Sequence, residues 1–118
     1  MRQPDNEAAL VDMLLFARRV RDRLERVVLD DFDDDEDLQA ALVFYLQTIG
    51  EAASKTSQAY RASHGQIAWR QIIGMRNRLV HDYMRISLEV VWRAATDDIP
   101  PLIDALEQLL AAANADET

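Results

Sequence analysis

An all-α fold, an antiparallel bundle of four or five helices, is what this 118-residue chain predicts. Three observations carry the prediction. Apolar residues recur at three- and four-residue spacing almost throughout. No segment shows the two-residue alternation of a half-buried strand. Only three glycines and three prolines punctuate the chain. A chain of this length makes about one domain and buries roughly 65% of its unfolded surface. Residues 1–118 are therefore expected to form a single helical domain without staples.

The first helix is expected from about Asn6 to Leu29, with Leu10, Met13, Leu14, Ala17, Val20, Leu24, Val27 and Val28 as its apolar stripe and arginines outside. Residues 30–37, DDFDDDED, then read as a solvated acidic loop, and Asp34 or Asp35 suits the N-cap of the next helix. That helix runs from Leu38 to about Tyr60 through Leu42, Tyr45, Ile49, Ala52, Ala53 and Thr56. Residues 61–66, with Ser63, His64 and Gly65, read as a loop in which His64 has no evident task. A third helix spans about Ile67 to Tyr83, with Trp69, Ile72, Ile73, Leu79 and Val80 apolar. Ser87 can cap a further helix through Val90, Val91 and Trp92, and both tryptophans fall on core stripes. Asp97-Asp98 reads as a cap before Pro100-Pro101, which must break or kink this helix or open a new one. The last helix carries Leu102, Ile103, Leu106, Leu109 and Leu110, with a frayed tail from Asn114.

Composition excludes several classes of function. There is no cysteine, so disulfides, thiolate metal sites and cysteine nucleophiles are ruled out. No signal segment or membrane-length apolar stretch is present, so a cytoplasmic protein without membrane contact is the expectation. The acidic run lacks the spacing of a calcium loop, and no metal site or cofactor is expected. The net charge of −8 is concentrated in residues 30–37, which hold seven of the 21 acidic groups. Elsewhere 14 acidic residues face 13 basic ones, and residues 61–93 carry six arginines against Asp82 and Glu89. Broad, sequence-blind nucleic-acid binding is disfavoured, but a local anion site on an arginine-rich face is not.

The segment 76–83, RNRLVHDY, stands apart. At 100° per residue, Arg76, Leu79, Val80 and Tyr83 fall on or near one face, Arg76 and Tyr83 about 20° from alignment. A charge on a core-facing stripe is costly unless it is paired or kept for a ligand. His81 lies about 140° from Arg76 on a regular helix. Convergence of the two needs a distorted helix end or a second chain, and a two-fold dimer supplies two copies of each around one cleft. Such a set suits RNA cleavage. Imidazole takes or gives a proton near neutral pH, and guanidinium stabilises the charge gained by phosphate in the transition state. The bland reading is a helix end with Arg76 paired to an acid and His81 facing the helix C-terminus.

Arg76, four intervening residues, then His81, Asp82 and Tyr83 resemble the R-x(4–6)-H-x-Y motif of HEPN domains, and among them the HepT-like toxins. IGEAA at 49–53, IAWRQIIGMRNRLVHDY at 67–83, VVW at 90–92 and PPLI at 100–103 carry the same resemblance over roughly 40–105. HGQIAW at 64–69 departs from relatives by lacking a proline, which concerns a loop. The resemblance implies a homodimer with a composite cleft, metal-independent endoribonuclease activity, and use as a toxin. It implies Arg76 and His81 as the catalytic pair and Asn77 as a supporting polar residue. It also implies an MNT-type nucleotidyltransferase partner as antitoxin, which transfers AMP to Tyr83. Glu51, in the matching IGEAA segment, is a candidate to pair with Arg76. Arg78 and Asp82 are not fixed by the motif. Two other readings compete: a non-catalytic module that binds a nucleotide or the nucleotidyltransferase, and a structural helical dimer with its motif residues buried and mutually paired.

Overall fold

The computed structural model describes residues 5–116, all helices and turns, with no strand among them. Helix α1 (Asn6–Leu24) starts where Asp5 accepts a hydrogen bond from the Ala8 amide at 2.9 Å. Glu7 in its first turn and Arg21 and Arg23 in its last oppose the helix dipole. It buries Leu10, Met13, Leu14, Ala17 and Val20. It ends five residues before the expected Leu29, because the chain turns at Arg26, whose φ of 66° is left-handed. Val28, expected on the buried stripe, is consequently 60% exposed.

The acidic run is not the loop that its charge suggests. Residues Leu29–Asp33 form a short helix, α2, whose Phe32 is fully buried against Trp92 with ring centroids 5.3 Å apart. Burying one such aromatic contributes about 1.5–3 kcal/mol, which favours folding this five-residue turn, with its three solvated carboxylates, onto the bundle. Asp30 and Asp31 sit in the first turn, and the Val28 amide donates to Asp31 at 3.2 Å. Asp35 then caps α3 (Glu36–Ser54), accepting from the Leu38 amide at 3.0 Å, as one of the two expected caps.

Helix α3 stops at Ser54, not near Tyr60. Ser57 accepts from the Tyr60 amide at 3.1 Å and opens a separate helix, α4 (Gln58–Ser63), where half of the expected 61–66 loop was placed. The buried Thr56 donates to the Ala53 carbonyl at 2.7 Å, and Arg61 Nη1 donates to the Thr56 carbonyl at 2.7 Å. Side chains of this kind compete with the helix for backbone partners and so end it. His64 stacks on Tyr60 at 3.8 Å, and its carbonyl accepts from Trp69 Nε1 at 2.9 Å, so it locks the turn between α4 and α5.

Helix α5 (Trp69–His81) packs chiefly on α3 and leaves its outer side open. It is shorter than the expected 67–83, and a 3₁₀ turn at Tyr83–Arg85 follows. Ser87 caps α6 (Leu88–Arg93), accepting from the Val90 amide at 3.2 Å. A π-helical turn at Ala94–Asp98 joins α6 without interruption to α7 (Ile99–Asp116). Pro100 and Pro101 lie in the first turn of α7, where the amides they lack would have reached back into the wider π turn. Within that turn Thr96 donates its hydroxyl to the Trp92 carbonyl at 2.9 Å. Asp97 and Asp98 are therefore inside the continuous rod and are not a cap. The rod is helical through Asp116, past the expected fraying at Asn114, while Glu117 and Thr118 lie outside the described residues. Its 29 residues span about 43 Å, most of the 48 Å long dimension. The core lies between α1, α3, α5 and this rod, centred on Leu10, Met13, Leu42, Ile49, Leu79 and Leu106.

Candidate active site

Two helices build the site. On α3, IGEAA places Gly50 against α5 and Glu51 at the edge of the contact. A Cβ at Gly50 would fall inside the van der Waals shell of Arg76 Cβ, with Arg76 Cγ and the Ile72 carbonyl oxygen each 3.0 Å away. Only glycine lets the backbones approach this closely. Within the IGEAA segment the sequence alone assigns Gly50 no task. Its signal was one of only three glycines, set in the middle of a helix that it weakens by roughly 0.5–1 kcal/mol relative to alanine.

The close approach sets the stem of Arg76. Its guanidinium then reaches Glu51, with Nη2 donating toward Oε2 at 2.7 Å, and Asn77, with Nη1 donating to Oδ1 at 3.0 Å. The Arg76 side chain is 30% exposed and Glu51 47% exposed. An ion pair this open contributes only about 0–1 kcal/mol to folding. Its main consequence is orientation: one guanidinium is held by two acceptors at the protein surface with the rest of its donors left over.

Leu79 is buried beneath Arg76 as the stripe predicts, but Val80 is 47% exposed because α5 has a neighbour on one side only. His81 is the last residue of α5 and is exposed. The Asp82 amide closes the helix on the Arg78 carbonyl at 2.8 Å. Tyr83 is thus off the helix, in the 3₁₀ turn, and does not share a helical face with Arg76. It is 50% exposed, and its hydroxyl has no hydrogen-bond partner among the described residues. The structure brings Glu51, Arg76 and Asn77 together. His81 and Tyr83 make no hydrogen bond or ion pair with any of the three. Because α5 is helical through both positions, Arg76 and His81 leave it about 140° apart. The helix end offers no distortion at residues 76–81 that would converge them within one chain.

A crevice of about 780 Å³ lies on the other side of α5, lined by Ile49, Ile72, Met75, Arg78, Asp98 and Leu102 among others. Desolvation there, and secondly the Asp97 carboxylate, push the Asp98 carboxyl above its ordinary value. Among the described residues no three histidine, aspartate or glutamate side chains converge as a metal-ligand set, the acidic run included. No helix of the described residues is long and apolar enough to cross a membrane.

Comparison with known proteins covers the segment that carries these residues. The family model described as "Ribonuclease HepT-like" matches residues 13–109, which contain Gly50, Glu51, Arg76, Asn77, His81 and Tyr83. A "Probable ribonuclease HepT" of Thermococcus cleftensis is 32% identical over 83 residues, 70% of this chain and 76% of that protein. A "Putative RNase" of Caldanaerobacter subterraneus subsp. tengcongensis is 30% identical over 89 residues, 75% of this chain and 80% of that protein. Another so named from Methanocaldococcus jannaschii is 26% identical over 110 residues, covering 93% of this chain and 91% of its own. No solved structure matches significantly.

Proposed function

The chain belongs to the ribonuclease HepT-like family, and on that premise we propose that it is a metal-independent endoribonuclease and the toxin of a toxin–antitoxin pair. Arg76 and His81 are its catalytic residues, Asn77 and Glu51 support them, and Tyr83 accepts AMP from a nucleotidyltransferase antitoxin. The observation that carries the reading is the array Glu51–Arg76–Asn77, a guanidinium oriented at the surface with no counter-charge among the described residues beyond one half-exposed carboxylate, on the same helix as an exposed His81.

The reaction needs two proton transfers and one phosphate clamp. In a two-fold homodimer, His81 of one protomer takes the proton of a ribose 2′-OH. The 2′-oxygen attacks phosphorus, and the bond to the 5′-oxygen breaks. His81 of the partner subunit, protonated, gives its proton to that leaving oxygen, so protons balance over the cycle. Arg76 binds the non-bridging oxygens and stabilises the charge they gain. Products are a 2′,3′-cyclic phosphate and a 5′-hydroxyl, and DNA, lacking the nucleophile, is not cut. The angular separation of Arg76 and His81 on α5 supports the composite cleft, since two protomers can offer each other the residue that one cannot converge. AMP on Tyr83 would put bulk and negative charge where RNA phosphate must enter.

The test is to incubate wild-type and His81→Ala protein with total RNA in EDTA and to record the intact mass of each. Cleavage with cyclic-phosphate ends by wild type alone is expected. Intact RNA with an unmodified wild-type protein would overturn the nuclease and leave a binding module. Activity lost on chelation would overturn the metal-free chemistry.

A further inference from the structure

Resting on the ribonuclease reading, we infer that a second phosphate-binding subsite lies about three turns along α5 from His81, with Arg70 as its anchor, and that it holds the single-stranded RNA flanking the cleavage site. The face of α5 opposite Arg76's contact with Gly50 carries Arg70, Asn77 and His81, which fall within about 40° of one another around the helix. All three are exposed. Arg70 stands about 10 Å along the axis from Asn77 and about 16 Å from His81, too far for the scissile phosphate and placed for one further along the strand.

The ground between them is shaped to receive a chain. An open groove of about 800 Å³ runs there, and its lining includes Arg61, Arg70, Ile73, Gly74 and Asn77 and no acidic residue. Helix α5 contains no carboxylate at all. Arg70 has no ion-pair partner among the described residues. Arg61, at the far wall, is fixed by Nη1 on the Ala53 and Thr56 carbonyls and has no acidic partner among the described residues. At Gly74 a Cβ would meet nothing within 4 Å, so the floor is open space. In a chain of net charge −8, a groove lined by two arginines and no acid, reaching Asn77 one turn before His81 on the same face, fits an anionic polymer. Phosphate contacts of this kind fix position along a strand and read no sequence.

Binding of a fluorescent single-stranded RNA to His81→Ala protein, followed by anisotropy against salt, tests the subsite without requiring cleavage. Adding Arg70→Ala should weaken binding about tenfold and lower the slope of log Kd against log salt by about 0.7. Arg70→Lys should restore most of both. Gly74→Leu, which fills the floor and favours the helix, should weaken binding without lowering Tm or changing the elution volume. In the wild-type background, Arg70→Ala should raise KM for long RNA and leave turnover of a dinucleotide unchanged. Unchanged affinity and slope in Arg70→Ala would overturn the subsite and leave this face to an acidic protein surface. Lost dinucleotide turnover would overturn it too, by placing Arg70 at the scissile bond. If His81→Ala binds no RNA and wild type cleaves none, the ribonuclease reading itself falls. Binding that ignores Arg70, with cleavage intact, defeats only the subsite.

Discussion

Gly50 and Arg76 meet where α3 crosses α5, and no side chain fits at residue 50 without moving the arginine's own stem. The first prediction is that Gly50→Ala acts on catalysis through geometry. Alanine gains up to about 1 kcal/mol of helix propensity, and the clash costs about 1–3 kcal/mol. The helices must part or Arg76 must swing off Glu51. Cleavage should drop at least tenfold while the urea midpoint falls only modestly. An active Gly50→Ala with unchanged kcat would show that the close approach does not matter to Arg76.

Glu51 tests the same arrangement from the acid's side. With both side chains partly exposed, Glu51→Gln should change folding stability by less than about 1 kcal/mol. If Glu51 positions Arg76, kcat should fall several-fold with KM little changed, and Glu51→Asp should fall between. Unchanged kcat in Glu51→Gln, measured on one RNA with purified proteins, would reduce the pair to a surface contact.

These two residues show what the sequence could and could not reveal. The helical periods and the Asp35 and Ser87 caps follow from local pattern, the Glu51–Arg76 pair was a candidate only through the IGEAA segment of the resemblance, and each is present. Phe32 was hidden by its neighbours: one buried ring outweighs seven exposed carboxylates, but only once Trp92 is known to lie beneath it. The break at Ser54 and the end of α1 before Val28 were missed because apolar spacing runs on through both turns. Nothing local distinguishes Arg70 from the other arginines of residues 61–93, since its meaning depends on a groove that only tertiary packing creates.

Asp98 gives a pH dependence with a definite sign. Its carboxyl is held above its ordinary value, so the folded chain binds that proton more tightly than the unfolded chain. The resulting stability is complete below the ordinary carboxylate range and is lost as pH rises through the raised folded value. Asp98→Asn removes this loss. The variant should melt higher than wild type at pH 7, and the gap should close toward pH of about 3. Melting curves across that range check it, and a gap independent of pH would exclude Asp98 titration as the cause.

Paired histidines predict their own profile. If one His81 accepts a proton and the other donates one, kcat/KM must fall on both sides of an optimum. His81→Ala should abolish both limbs. A rate that climbs steadily into alkaline pH would mean that the 2′-OH is activated without a histidine acid, and the two-protomer mechanism would have to be abandoned.

Tyr83 separates chemistry from control. Its hydroxyl bonds to nothing among the described residues and its ring is half-exposed, so Tyr83→Phe should leave stability within about 0.5 kcal/mol of wild type. If Arg76 and His81 supply the clamp and the protons, cleavage by the purified variant should persist. What the variant loses is the oxygen that would carry AMP. Co-expression with the cognate nucleotidyltransferase should therefore rescue growth of cells making wild type and fail to rescue cells making Tyr83→Phe, with the mass of one AMP found on wild type only. If the partner silences both equally, neutralisation works by binding alone and Tyr83 is not the switch. If Tyr83→Phe is inactive without any partner, the phenol belongs to the catalytic cleft itself, and the separation of roles drawn from its unpartnered, outward position is wrong.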